Sequence, residues 1–446
     1  MLNLTSDQND AIAKFWSFMN DKTRTIMVLE GAAGTGKTTV VENILQDYHS
    51  QARLNALVTN GIGDRFMDYQ VTATTNKASR VIGDITGQES GTIHSLLNLK
   101  VVFGHGQNGT LAPRKKDQSP SFRNTLFIID EASYVSQELM DFITKIILQS
   151  PASGQAEKTW NKVLFIGDPY QLDPPGGTAE PIFAKHATTA TLTTVSRNFG
   201  PIFDLAAKYK DVLANGAPFP KIQEVPGFIT WDQKGPDFKD RLDICYSKYH
   251  HSDDAKVLAY TNQKVIQYNS YISKAILGTD EISVNQIMYT NNPIPSQRND
   301  SILFSTDEAV SLSTILDHQA SVHGIPGKMV QLNLKSKNHV ATHGSQSFFL
   351  PDSQDKLKYV LSGMAARKEW SDYFTLKNNS LDLRPSYACT VHKSQGSSYK
   401  EVFIDLDDIG TCKDPKTMAR LLYVAFSRAS QKVHIYGNLP KEIYNG

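Results

Sequence analysis

At 446 residues the chain is long enough for roughly two to four domains with sizeable cores, and its ordinary apolar and charged content excludes disordered and collagen-like classes. A net charge of +1 means that any nucleic-acid partner must be held by local grooves rather than by a global basic field. Cys245, Cys389 and Cys412 are too scattered for a zinc cluster, the histidines show no metal-ligand spacing, and no run approaches about 18 apolar residues, so a reducing, cytoplasmic setting without a membrane is expected.

Residues 4–12, LTSDQNDAI, put Thr5 or Ser6 at a helix N-cap, with Ala11, Ile12, Phe15 and Phe18 on one face of the helix that follows. Gln8 carries an amide that can donate to one edge of adenine and accept from another, although a surface glutamine is the ordinary reading. Ile26-Met27-Val28-Leu29 reads as a buried strand leading into GAAGTGKT. That octet, Gly31, Ala32, Ala33, Gly34, Thr35, Gly36, Lys37 and Thr38, fits the phosphate-binding loop G-x-x-x-x-G-K-[ST] at every fixed position. Glycines let backbone amides curl around phosphates, Lys37 reaches the β- and γ-phosphates of ATP, and the Thr38 hydroxyl ligates Mg²⁺. From Thr39 to Tyr48 a helix is expected, its N-terminus facing the anion.

Further on, Ala56-Leu57-Val58 and Val71-Thr72-Ala73 look strand-like, and a helix is expected within 74–82. The cluster Thr74, Thr75, Asn76, Lys77 and the later pair Thr92 and His94 are phosphate-contact types, but are equally common as caps and turns. A β-hairpin is expected at 98–121, with arms 101–103 and 110–112; a mobile surface loop is the alternative. LFIIDEAS delivers Asp130 and Glu131 at the end of a buried strand, where α/β sheets place ligands. After a phosphate-binding loop, Asp130 suits Mg²⁺ and Glu131 suits the base that deprotonates the attacking water. VLFIGDPYQLDP repeats the design, and its Gln171 could sense the γ-phosphate.

A second strand-and-helix series carries Arg197, Thr261 and Asn262, then Thr390, His392 and Lys393, and finally Arg428 near the end of a helix; no second phosphate loop recurs. Arg197 and Arg428 suit the developing charge on the γ-phosphate, though any single arginine is more often in a surface ion pair. Residues 263–384 have a different texture, suggesting a small β-barrel at 322–350 and a helical stretch at 354–376.

GAAGTGKT, DEAS, GDPYQLDP, LTTVSRN, VHKSQG and LLYVAFSRA, in this order, resemble the signature series of superfamily-1 helicases; with LTSDQNDAI and GTIHSLL the chain resembles the RecD/Dda branch. The resemblance implies an α/β chain of two RecA-like P-loop lobes. Lobe 1A would be 1–97 and 122–190, a pin insert 1B 98–121, lobe 2A 191–262 and 385–446, and an SH3-like barrel plus helical insert 2B 263–384. It implies a monomeric ATP- and Mg²⁺-dependent DNA helicase moving 5′ to 3′ on single-stranded DNA and opening duplex DNA, with single-stranded DNA-binding or replication proteins as partners. Nucleotide would be held by Gln8, residues 31–38 and Thr39. Lys37, Glu131, Gln171, Arg197 and Arg428 would serve hydrolysis, and Thr38 and Asp130 the metal. DNA would touch Thr74, Thr75, Asn76, Lys77, Thr92, His94, Thr261, Asn262, Thr390, His392 and Lys393, with Phe103 as the wedge of the pin. Asn76 departs from the histidine usual at that point. A 3′-to-5′ motor, an RNA helicase and a nucleotide-gated DNA-binding switch remain open on the residues; a nuclease fusion finds no clustered acidic site.

Overall fold

Continuous apolar runs with little alternation demand strands buried on both faces, which parallel α/β sheets supply. The computed structural model describes residues 4–58, 68–87, 90–102, 110–114, 120–149, 160–174, 182–185, 188–195, 200–248, 254–279, 281–295, 302–304, 306, 308–335, 340–341 and 346–444. Two compact units emerge: Met1–Pro220 with Ala419–Ser427, and Lys221–Met418 with Arg428–Gly446.

In the first unit six parallel strands run in the order Gly91–Thr92, Asp68–Ala73, Thr125–Asp130, Lys162–Gly167, Ile26–Gly31, Thr189–Leu192. One face is covered by Phe15 and Phe18 of the helix Ser6–Asn20 and by Val40, Val41 and Ile44 of the helix Lys37–Val58. The other packs on Ile93, Leu97, Leu139 and Ile143. Buried Lys162 closes the C-terminal end of the first helix, its Nζ donating to the carbonyls of Phe18, Asp21 and Arg24 at 2.5, 2.6 and 2.9 Å. Residues 56–58 are not a strand but the last turn of the helix Lys37–Val58; no glycine or proline interrupts that stretch, so the helix propagates through it. The first unit also runs past the expected lobe boundary at 190, because Thr189–Leu192 hydrogen-bonds beside Ile26–Gly31 as an edge strand of this sheet. The expected hairpin is present as the antiparallel arms Leu99–Val102 and Thr110–Pro113; its tip lies outside the described residues.

The second unit has its own parallel sheet, in the order Ala388–Thr390, Ala255–Ala259, Tyr399–Asp405, Ala429–Tyr436, Ile229–Asp232. Within its insert, Ala309–Val322 and Ile325–Lys335 form a long antiparallel hairpin. The turn residues His323 and Gly324 both have positive φ, 50° and 76°, as a two-residue turn between twisted strands requires. Neighbouring strands Ile287–Thr290, Leu383–Pro385 and Phe348–Pro351 complete an antiparallel sheet around Val310, Leu312, Val330 and Phe348. The stretch expected as helical at 354–376 is two helices, Gln354–Ala366 and Trp370–Asn379. Lys368, at φ 60°, breaks them, and the flanking Arg367 and Glu369 pair through Nε–Oε1 and Nη2–Oε2 contacts of 2.7 and 2.9 Å.

Candidate nucleotide site and strand-end residues

The phosphate loop begins where the strand Ile26–Gly31 leaves the sheet. A Cβ on Gly31 would stand 2.5 Å from Thr35 Oγ1 and 3.0 Å from Leu192 Cβ, so only glycine fits that close approach. Gly36 turns the chain with φ 83°, a conformation that L side chains rarely adopt, and Lys37 then opens the helix. Thr35 Oγ1 donates to the Ala32 carbonyl at 2.9 Å, cinching the loop. Lys37 Nζ donates to the carbonyls of Gly31 and Ala32 at 2.6 and 3.0 Å, which holds its charge inside the loop's curve. Thr38 is half-buried in the first helical turn and Thr39 is buried behind it.

Gln8 is not the surface residue that its type suggests. It is buried, its Oε1 accepts from Thr5 N–H at 3.0 Å in a capping box, and its Nε2 donates to the Thr35 carbonyl at 3.0 Å. The first helix is thus tied directly to the phosphate loop. Its neighbour Asp7 accepts from the N–H groups of Thr193 and Thr194 at 2.8 and 2.7 Å and from the Thr5 hydroxyl. Burial works against the charged form, yet these donors hold the Asp7 carboxyl well below the usual carboxylate range.

Asp130 and Glu131 sit at the carboxyl end of the strand Thr125–Asp130. Burial pushes the Asp130 carboxyl up, opposed by the Glu131 N–H at 2.8 Å and by the charge of Lys37. A buried carboxylate that lies within the field of the loop lysine and is driven toward neutrality is a group that a divalent cation would stabilise as the anion. The Asp130 carboxyl therefore has the chemistry of a divalent-cation ligand. Glu131 has left-handed backbone, φ 54° and ψ 48°, uncommon for a residue other than glycine; it ends the strand and starts the short turn Ala132–Tyr134. Thr74 braces this corner, its N–H donating to the Asp130 carbonyl at 3.3 Å and its hydroxyl to the Glu131 carbonyl at 3.0 Å.

Gln171 is buried after the strand Lys162–Gly167, its Nε2 3.5 Å from Asp168 Oδ2. The same oxygen accepts from the Tyr423 hydroxyl at 2.5 Å, and that hydroxyl accepts from the Ala33 N–H of the phosphate loop at 3.2 Å. Asp168 Oδ1 takes the Tyr170 N–H at 3.0 Å. Arg420, one turn earlier on the same helix, donates to the carbonyls of Pro169 and Gln171. Of the residues expected at this centre, Gln8, the phosphate loop, Asp130, Glu131 and Gln171 belong to the first unit; Arg428 belongs to the second, and Arg197 lies outside the described residues.

The candidate DNA contacts behave differently. Thr75 caps the helix Asn76–Thr86 by accepting from Ala78 N–H at 3.2 Å, and Thr92 caps Ile93–Leu96 by accepting from Ser95 N–H at 3.2 Å. Asn76 is the first residue of its helix, Lys77 follows, and burial pushes the His94 imidazole down. Phe103 lies outside the described residues. In the second unit Thr261 caps Asn262–Leu277, and its hydroxyl donates to Asp408 Oδ1 at 2.7 Å. Asp408 Oδ2 also takes the N–H groups of Tyr260 and Thr261 at 2.6 and 2.8 Å. Asn262 Oδ1 lies 3.5 Å from Arg384, while Thr390 accepts from Lys393 N–H at 3.3 Å and Lys393 Nζ donates to Asn291 Oδ1 at 3.2 Å. Burial pushes His392 down as well. Arg428 is buried, its guanidinium donating to the Ser397 carbonyl at 3.2 Å. Thr75, Thr92 and Thr261 each stand where a strand gives way to a helix and are engaged there as caps.

Sequence reading missed Asp7, Asp168, Tyr423 and Asp408. Asp168 could have been found, since it shares a strand end with Gln171. Tyr423 lies in an apolar helix and reads as core, and Asp408 carries no local signal at all.

Profile comparison matches residues 3–217 to an AAA domain and residues 385–436 to a UvrD-like helicase C-terminal domain. Over 97% of this chain and 98% of the relative, the sequence is 25% identical to the ATP-dependent DNA helicase Dda of Enterobacteria phage T4. It is 23% identical to the ATP-dependent RecD2 DNA helicase of Deinococcus radiodurans, covering 93% of this chain and 47% of that protein. Pif1 helicase from Candida albicans shares the fold at TM-score 0.50 and 16% identity, over 100% of this chain and 96% of that one. Bacteroides Pif1, in a crystal structure with ADP-AlF3 and single-stranded DNA, does so at TM-score 0.50 and 14% identity, over 100% and 94%. The two parallel α/β sheets are RecA-like, and in its paired domains, its match along the whole of Dda and its ordered motifs the chain is similar to superfamily-1 helicases of the RecD/Dda type.

Proposed function

We propose that the chain is a motor that uses ATP hydrolysis to step 5′ to 3′ along single-stranded DNA and to separate duplex strands. The observation that carries the reading is the convergence of the phosphate loop, the Lys37 charge and the buried Asp130 carboxyl in one unit. In this reading the loop amides and Lys37 hold the phosphates, and Gln8, while held by Thr5 and Thr35, offers its second N–H and second oxygen lone pair to adenine. Thr38 and Asp130 would hold Mg²⁺, which supplies charge neutralisation at the phosphates. Glu131 takes the proton of the attacking water, Gln171 senses the γ-phosphate, and Arg197 and Arg428 supply positive charge to it in the transition state.

The presence of Glu131, Arg197 and Arg428 favours a motor over a switch, because a switch needs no water-activating base. Strand-end residues Thr74 to Lys77, Thr92, His94, Thr261, Asn262, Thr390, His392 and Lys393 would follow the DNA backbone. The hairpin at 98–121 would act as the pin with Phe103 as wedge, and 263–384 as an SH3-like insert. A monomer working in the cytoplasm beside single-stranded DNA-binding or replication proteins completes the proposal.

The deciding experiment is ATP-dependent unwinding of two matched duplexes, one with a 5′ single-stranded tail and one with a 3′ tail, with Glu131→Gln as control. Opening of the 5′-tailed duplex alone is expected. Opening of the 3′-tailed one alone would reverse the polarity, and opening of neither would favour the switch or an RNA substrate. Phe103→Ala should impair unwinding more than DNA-stimulated ATP turnover; equal losses would remove the pin.

A further inference from the structure

We infer that Tyr423 is a gate on the phosphate loop: its hydroxyl holds the Ala33 amide against Asp168, and a nucleotide must displace the phenol to gain that donor. The inference rests on the reading of residues 31–38 as an ATP site and adds a positioning residue to it.

An amide N–H has one proton to donate, and the proton of Ala33 points to the Tyr423 oxygen at 3.2 Å. The phenol in turn donates to Asp168 Oδ2 at 2.5 Å, a charge-assisted bond shorter than most neutral ones. Tyr423 is 2% exposed, so neither bond is made to water at a surface. Ala33 lies within the stretch whose amides a phosphate would collect, and Asp168 also faces the Gln171 amide. One hydroxyl thus spans the loop that would receive the phosphates and the segment proposed to sense the third of them.

The helix carrying Tyr423 is anchored on that segment and on the helix Pro201–Asn215. Arg420 grips the carbonyls of Pro169 and Gln171, and the Phe426 ring stacks on Tyr209 with centroids 5.6 Å apart and planes at 6°. When phosphate takes the Ala33 amide, the phenol loses its donor but keeps its acceptor, and the Asp168–Gln171 corner must readjust with it. A tyrosine serving only as packing would need no such pair of partners, and phenylalanine would fill the same volume.

The test is direct binding of a fluorescent, non-hydrolysable ATP analogue to the full chain without DNA, comparing wild type, Tyr423→Phe, Asp168→Asn and Lys37→Ala, each checked by thermal melting. Removing the competing hydroxyl should tighten binding roughly three- to tenfold in Tyr423→Phe, the range of one net hydrogen bond. Asp168→Asn, which keeps a weaker acceptor, should tighten it less. If Lys37→Ala binds as wild type does, the loop is not the nucleotide site and the proposed function fails first. If Lys37→Ala weakens binding while Tyr423→Phe leaves it unchanged, the gate is overturned and the motor stands. Weaker binding in Tyr423→Phe also overturns the gate, since the phenol would then serve the nucleotide. A merely structural tyrosine would lower the melting temperature without tightening binding.

Discussion

Each unit contains a parallel strand that runs into a helix, and the two junctions treat the helix N-terminus in opposite ways. After Ile26–Gly31 the chain spends five residues on a glycine-bearing loop before the helix Lys37–Val58, with Lys37 Nζ held on the carbonyls of Gly31 and Ala32. After Ala255–Ala259 only Tyr260 and Thr261 intervene, and the carboxylate of Asp408 takes both of their N–H groups and the threonine hydroxyl. Helix N-termini favour anions in both places. One junction has the sequence pattern of a phosphate loop, while the other carries its own anion. A RecA-like sheet without a phosphate loop need not leave its helix start unsatisfied; here an internal aspartate fills the role.

Breaking the first junction should have the largest effect. Lys37→Ala, or Glu131→Gln beside it, is expected to cut DNA-stimulated ATP turnover by about 10² or more, with melting temperature nearly unchanged. Normal turnover in either variant would remove the chemical half of the contrast. Breaking the second junction should cost stability instead: Asp408→Ala leaves three donors without their acceptor, a loss of about 3 kcal/mol in urea unfolding. A variant as stable as wild type would show that water replaces the carboxylate, and the two junctions would then differ less than the geometry suggests.

Thr75→Ala sharpens the comparison at a third helix start. As a cap it should cost about 1 kcal/mol of stability, with Thr75→Ser restoring most of it. A large loss of single-stranded DNA affinity in a fully stable Thr75→Ala protein would make the threonine a ligand first and a cap second.

The smallest expected effect concerns Asp7, a half-buried carboxylate on the amides of Thr193 and Thr194. Its folded pKa lies below the unfolded value of about 3.9, so its contribution is fully present above that value and is lost as pH falls toward the folded pKa. Asp7→Asn should therefore be less stable than wild type near pH 7, and the gap should narrow in acid. A gap that does not change with pH would mean that the carboxylate's charge contributes nothing to holding the segment.

Much of the phosphate site was legible because its chemistry is contiguous: eight residues hold the glycines, the lysine and the threonine at fixed spacing, and the flanking apolar runs announce strand and helix. The adjacent Asp130 and Glu131 were equally legible as the polar end of a buried run. Gln8 was less so, since nothing local reveals that its amide closes on Thr35. The helix through 56–58 was misread as a strand because Ala-Leu-Val carries little period, and only the uninterrupted helix before it decides the matter.

By itself the sequence determined the position of the phosphate loop, the strand and helix that flank it and the motif series, since each depends on spacing along the chain. Tertiary structure alone decided which side chains meet. Tyr423 stands 390 residues from Ala33 and 255 from Asp168, and Asp408 stands 147 from Thr261. Those contacts exist because strands and helices far apart in sequence pack side by side, and hydrogen bonds of 2.5 to 3.2 Å require an alignment that no local pattern encodes.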